Sequence, residues 1–213
     1  MIFVRGAAAP RLAAAVLTLA LAACVPVRTR PHAADAVAEA AQRSREAALA
    51  SRDHWTLQAH IGVTTERDSG SGDLEWRQDG EAYSFVVRAP ITGKTWKLAG
   101  DARGATLEGV GPQARFDADV QNLLRDQVGW DVPLASLRAW VFGLRAAAPA
   151  ARAQYDDREL PALIEQGGWR VEYRDWFGTN EVAGSTLALP RRVFATHGAT
   201  RIKLAIYDWS FGR

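Results

Sequence analysis

The sequence predicts a mainly β, α+β fold in which an antiparallel sheet is partnered by helices. Three observations carry this. From Trp55 onward, apolar and polar residues alternate with a period of two. Strand-like runs recur at short intervals between Gly, Asp and Pro turn residues, the spacing of a meander. Between Asp117 and Gly143 the apolar period lengthens to that of helices, after which strand patterns resume.

The first element is expected to be absent from the mature protein. Residues 1–23 carry Arg5 and Arg11 followed by an uncharged run from Leu12 to Ala22, the layout of a secretory signal and too short for a membrane span. The run ends in Leu21-Ala22-Ala23-Cys24, which resembles a bacterial lipobox, with the chain's single cysteine, Cys24, as the site of lipid attachment. One acyl chain holds a protein to a bilayer only marginally, at about 0.8 kcal/mol per buried methylene, so the three chains of a bacterial lipoprotein make an anchor rather than a span. Loss of Arg5 and Arg11 from the 26 basic groups balances the 24 acidic ones, and a neutral chain argues against nucleic acid as a partner.

Residues 24–34 then form the lipidated N-terminus and a Pro/Arg tether, and residues 35–213 a single domain. Its alanine-rich start, Asp35 to Asp53, has strong helix formers and a weak apolar stripe, which predicts a surface helix. Trp55, Leu57, Ala59, Ile61 and Val63 mark a half-buried strand. Strands follow at Asp73–Arg77, Ala82–Arg88, Thr95–Ala99 and Ala105–Val110; their parity puts Leu74, Trp76, Tyr83, Phe85, Val87, Trp96 and Leu98 on one face. Asp117 is the expected cap of a helix through Val120, Leu123, Leu124 and Val128, broken at Gly129 to Asp131. Pro133 opens a second, with Leu134, Leu137, Trp140 and Val141 as its stripe and Gly143 as its stop. The last strands are expected at Trp169–Trp176, Ser185–Leu189, Val193–Thr196 and Arg201–Asp208.

Reactive chemistry is not indicated. Gly93-Lys94-Thr95 mimics the end of a phosphate-binding loop, but Arg88 stands where such a loop needs its first glycine. Ser69-Gly70-Ser71-Gly72 lacks the order of a nucleophile elbow and is expected to be a flexible loop. His32, His54, His60 and His197 have no metal-site spacing, and Asp156-Asp157 and Arg191-Arg192 are expected at solvated loop ends. Ser84, Ser136 and Ser210 carry no hydrolase signature. Neither enzyme activity, cofactor nor metal is expected. The eight tryptophans are more informative, each able to bury about 150–250 Å². Composition alone leaves open whether they fill a core or line a cavity.

Several segments together are similar to one family. Besides the lipobox, they are Trp55-Thr56-Leu57-Gln58-Ala59, Gly72-Asp73-Leu74-Glu75-Trp76, Ala89-Pro90-Ile91-Thr92-Gly93, the Gly129-Trp130 to Gly143-Leu144 stretch, and Arg201-Ile202-Lys203-Leu204. In this order they resemble the LolB family of outer-membrane lipoprotein receptors over nearly the whole mature chain. The resemblance implies an unclosed β half-barrel whose helices cover an apolar cavity. That cavity would receive the acyl chains of client lipoproteins from a LolA-type periplasmic carrier, and a monomer would place them in the inner leaflet of the outer membrane. It implies a membrane-contact role for Ile91, although Ile91-Thr92-Gly93 departs from the family's usual Pro-Leu-Gly tip. Val25 follows Cys24 in place of the Asp that retains lipoproteins at the inner membrane in enteric bacteria. Parity and helical stripe offer Trp76, Phe85, Trp96 and Trp140 as cavity candidates. A structural or assembly lipoprotein that binds proteins through its sheet edge is the competing reading.

Overall fold

A computed structural model describes residues 32–89 and 93–212. The leader, Cys24 and most of the tether lie outside the described residues, as does Ile91.

The described residues build one antiparallel sheet of 12 strands from two meanders. The first comprises β2 (His54–Thr64), β3 (Ser69–Asp79), β4 (Ala82–Arg88), β5 (Thr95–Asp101), β6 (Gly104–Glu108) and β7 (Arg115–Asp117). The second comprises β8 (Ala151–Tyr155), β9 (Pro161–Gln166), β10 (Trp169–Trp176), β11 (Pro190–His197) and β12 (Thr200–Phe211), with the short β1 (His32–Ala33) added at its edge. Pairing of β12 with β2 joins them, so the last strand closes on the first long one, and β1 and β7 are the edges among the described residues. The sheet is therefore unclosed, as expected.

Alternation fixes which side becomes the interior. Trp55, Leu57, Ala59, Ile61 and Val63 of β2 are all buried, as are Leu74 and Trp76 of β3, Phe85 and Val87 of β4, and Leu98 of β5. On β12 the buried parity runs Ile202, Leu204, Ile206 and then changes to Trp209. A register shift between Ile206 and Asp208 makes the change possible, turning Tyr207 outward and Trp209 inward.

Three helices lie among the described residues: α1 (Ala36–Leu49), α2 (Val120–Val128) and α3 (Leu134–Trp140). Asp35 caps α1 by accepting from Val37 N and Ala38 N. At α2 the cap is Asp119, which accepts from Gln121 N; Asp117, the expected cap, instead accepts from Asp119 N and ends β7. Gly129 stops α2 in the left-handed conformation, φ 70°, which glycine adopts without steric penalty.

Other expectations are corrected. Helix α1 is not a surface helix: Ala38, Gln42, Arg45 and Leu49 are buried on one side of it. Its stripe is half polar, so an apolar periodicity does not reveal it. Ser185–Leu189 is not a strand; Ser185 Oγ donates to Leu187 O and accepts from Leu187 N within a turn. Asp156 is buried rather than solvated, organising the β8–β9 turn by accepting from the backbone of Arg158 and Leu160. His32, placed by sequence in the tether, pairs opposite Tyr155.

Ser69 to Gly72 are strand rather than flexible loop, paired with Thr64 to Ile61. Gly72 is required there by space, since a Cβ would lie 2.6 Å from Arg88 O where β4 ends. Gly72→Ala is expected to force that backbone away and cost about 1–3 kcal/mol, read as a lower urea midpoint. An unchanged midpoint would show that the β4 end is free to yield.

Candidate apolar cavity and its mouth

The interior at one end of the sheet is closed by α2, α3 and the segment between them. Ile61 and Val63 from β2, Phe85 and Val87 from β4, Trp96 and Leu98 from β5, and Ile202 from β12 form the sheet side of a cavity. Leu124 of α2 and Leu134 and Leu137 of α3 form its cover, with Trp130 and Val132 from the connecting segment. The cause is local: helical spacing aims Leu124, Leu134 and Leu137 at the sheet, and the turn at Gly129 brings Trp130 inward. Trp130 N donates to Leu124 O, and Gln121 Nε2 donates to Asp131 Oδ1, which holds the connecting segment against α2. The enclosed space is about 30 Å³, and its lining side chains are all apolar.

Outside it lies an open groove of about 870 Å³. The β2–β3 turn, the β11–β12 turn, Lys94 ahead of β5 and the α2–α3 segment surround this groove. Ala89 N donates to Lys94 O and Gly93 N to Ala89 O, so the β4–β5 corner is tied off at this same mouth.

Of the four candidate lining residues, the structure brings Phe85 and Trp96 to the cavity. Trp76 and Trp140 stand away from it. Trp76 packs between Trp55 and Phe85, with ring centroids 4.9 and 4.3 Å away, in an aromatic cluster continued by Phe142 and Trp209. Trp140 packs on Trp169 and donates from Nε1 to Gln166 Oε1 at 3.1 Å. Trp130 was missed as a lining residue because it falls in the helix break. Its signal was a large apolar side chain immediately after a helix-ending glycine.

A polar network secures the cover from behind. Arg45 of α1 donates to Phe142 O at 2.8 Å and to Ala188 O at 2.7 Å, and its guanidinium lies 4.8 Å from the Trp176 ring centre. Burial pushes its pKa down to about 10, which leaves it charged at neutral pH. Gln42 donates to Gly143 O, and Arg145 pairs with Glu46 and Glu39. Tyr173 OH donates to Trp140 O, and burial raises its pKa. No group of three or more His, Cys, Asp or Glu is placed to hold a metal among the described residues. The arrangement can enclose apolar matter, and none of its lining side chains supplies a nucleophile or a proton donor.

Residues 53–209 match the outer membrane lipoprotein LolB family. An outer-membrane lipoprotein LolB of Xanthomonas campestris pv. campestris is 34% identical over 201 residues, covering 89% of this chain and 91% of the relative. That of Xylella fastidiosa is 32% identical over 180 residues, covering 84% and 81%. Among solved structures, a LolA superfamily protein from Nitrosomonas europaea superposes with a TM-score of 0.51 at 9% identity, over 83% of this chain and 94% of that one. A putative outer membrane lipoprotein-sorting protein domain from Vibrio parahaemolyticus gives 0.51 at 9% identity, over 82% and 91%. These two establish likeness of fold, an unclosed antiparallel sheet with covering helices. By its sequence match over most of its length, the chain belongs to the family of the outer-membrane lipoprotein LolB.

Proposed function

We propose that this chain is a lipid-anchored receptor of the outer membrane that takes acylated lipoproteins from a LolA-type carrier and passes them to the inner leaflet. The observation that carries this reading is the all-apolar cavity beneath α2 and α3 in a chain of this family. Transfer between two such cavities makes and breaks no bonds. It requires a route that spares the acyl chain from water, because each exposed methylene costs about 0.8 kcal/mol.

The cavity of about 30 Å³ has room for one water and not for a fatty chain. Loading therefore requires the cover to lift. Leu124, Trp130, Leu134 and Leu137 would exchange contacts with the sheet for contacts with the acyl chain, at little net cost in buried area. Cys24 supplies the anchor in this reading, so Cys24→Ala gives a soluble form that still accepts substrate.

Ile91 is the proposed membrane contact. Ile91 itself lies outside the described residues, but Lys94, close to it in the same β4–β5 connection, borders the groove, so a membrane contact at Ile91 would set the exit beside the bilayer. Ile91→Asp places a charge that must be desolvated on entering the headgroup boundary. Loading from the carrier is expected to stay intact, while transfer into liposomes falls about tenfold, the equivalent of ~1.4 kcal/mol. The experiment loads the variant, adds liposomes and measures lipoprotein in the vesicle fraction; full delivery there would remove Ile91 from the mechanism.

A further inference from the structure

The cavity and the groove share one pair of rings. Trp96 and Trp130 line both, edge to face at 5.2 Å and 77°, and they stand between the apolar interior and solvent. Inward of them the lining is aliphatic apart from Phe85. Outward, the groove carries Glu66, Asp68 and Asp131 against Arg67, Lys94 and Arg125.

We infer that the groove is a second subsite, which takes the polar peptide of an acylated protein, and that the acyl chain enters tail first with its carbonyl end between Trp96 and Trp130. This rests on the cavity being the acyl site. Direction follows from what each compartment can satisfy. A carbonyl carried to the inner end would be buried among Ile61, Val63, Phe85, Val87 and Leu98, whose side chains offer no donor. At the ring pair the same carbonyl keeps access to water and to the polar groove. Indole rings as a class suit such a boundary, since each combines a large apolar body with one polar N–H.

The charges say which polar group fits. Three acidic and three basic side chains leave the groove without a strong field of either sign. A peptide backbone, dipolar and neutral, is matched by such a mixture. An anionic phospholipid headgroup gains little from the three basic groups while facing the three acidic ones. The groove thus favours the acylated peptide over the lipid of the membrane on which the protein works.

Bromine quenches indole fluorescence at near contact, which makes direction measurable. The probe is a stearoylated Cys-Ser-Ser peptide brominated either near its carbonyl or near its methyl end, added to the mature chain carrying Cys24→Ala. The signal read is the quenching that disappears in the Trp96→Phe/Trp130→Phe double variant, since other tryptophans also respond. Bromine near the carbonyl is expected to give at least about a twofold larger signal of this kind than bromine near the methyl end. Trp130→Phe alone, which keeps one ring of the pair, should lose part of it. Equal or reversed quenching overturns the tail-first orientation. Displacement of the peptide by glycerophosphoglycerol, the phosphatidylglycerol headgroup without its acyl chains, at equal concentration assigns the groove to headgroups and overturns the peptide subsite. If neither brominated peptide binds, the acyl-site reading itself fails and takes this inference with it.

Discussion

Trp76→Ala lowers the unfolding free energy by about 3–5 kcal/mol, a loss expected from removing a large side chain that the sheet cannot close over. Trp76 is 1% exposed. It sits opposite Leu57 on one side and Phe85 on the other, and its ring is stacked on Phe85 and tilted against Trp55. Strand partners on both sides fix the backbone, so the space left by the indole stays open. Trp76→Phe separates packing from polarity. The indole Nε1 is buried without a hydrogen-bond partner among the described residues, so phenylalanine gives up some volume but also removes an unsatisfied donor. Its cost should be about 1–2 kcal/mol. Urea unfolding of both variants checks this; an alanine variant within about 1 kcal/mol of the parent would remove Trp76 from the packed core.

Trp76 also marks how far the sequence could be followed. Period-two alternation located β2, β4, β5 and β10 and placed Trp76 on the buried face, because one-sided burial imposes strict parity. Parity cannot say what lies opposite a buried residue. Phe85 and Trp96 meet the helical cover, whereas Trp76 meets Trp55 and Trp140 meets Trp169, a difference made by where α2 and α3 come to rest. Trp130 reached the cavity through the left-handed turn at Gly129, which no periodicity records.

The strands missed by sequence fail the same test for identifiable reasons. β7 is three residues long with Phe116 exposed, and β1 has two residues, so neither can display a period. β9 has adjacent buried residues Leu163 and Ile164, which breaks alternation. In β3 the run Ser69 to Gly72 has no large apolar residue to mark a face, yet it pairs along its length with β2. Backbone hydrogen bonding and the close approach to Arg88 O decide that segment, not side-chain pattern.

The helix α1 shows the same limit with larger consequences, because what docks it is a charge. Arg45→Ala is expected to cost about 3 kcal/mol or more. The substitution removes three charge-assisted donations, two to Phe142 O and one to Ala188 O, and leaves both carbonyls to find other partners in a buried site. Among the described residues no carboxylate pairs with Arg45; backbone carbonyls and the Trp176 ring hold it. Its removal therefore exposes no complementary charge, and the loss comes from unsatisfied carbonyls, lost stacking and the space left behind. Arg45→Lys keeps the charge but cannot donate to both carbonyls in the planar guanidinium geometry, so it should recover only part of the stability. The effect should extend beyond α1. Phe142 lies just past the end of α3, whose Leu134 and Leu137 cover the cavity, so Arg45 ties the helix nearest the tether to the element that lifts for loading in the proposed function. Hydrogen exchange gives the discriminating measurement: in Arg45→Ala, amides of α3 should lose protection together with those of α1, while the centre of β2 keeps its own. If α1 alone becomes labile, Arg45 merely docks its own helix and does not brace the cover.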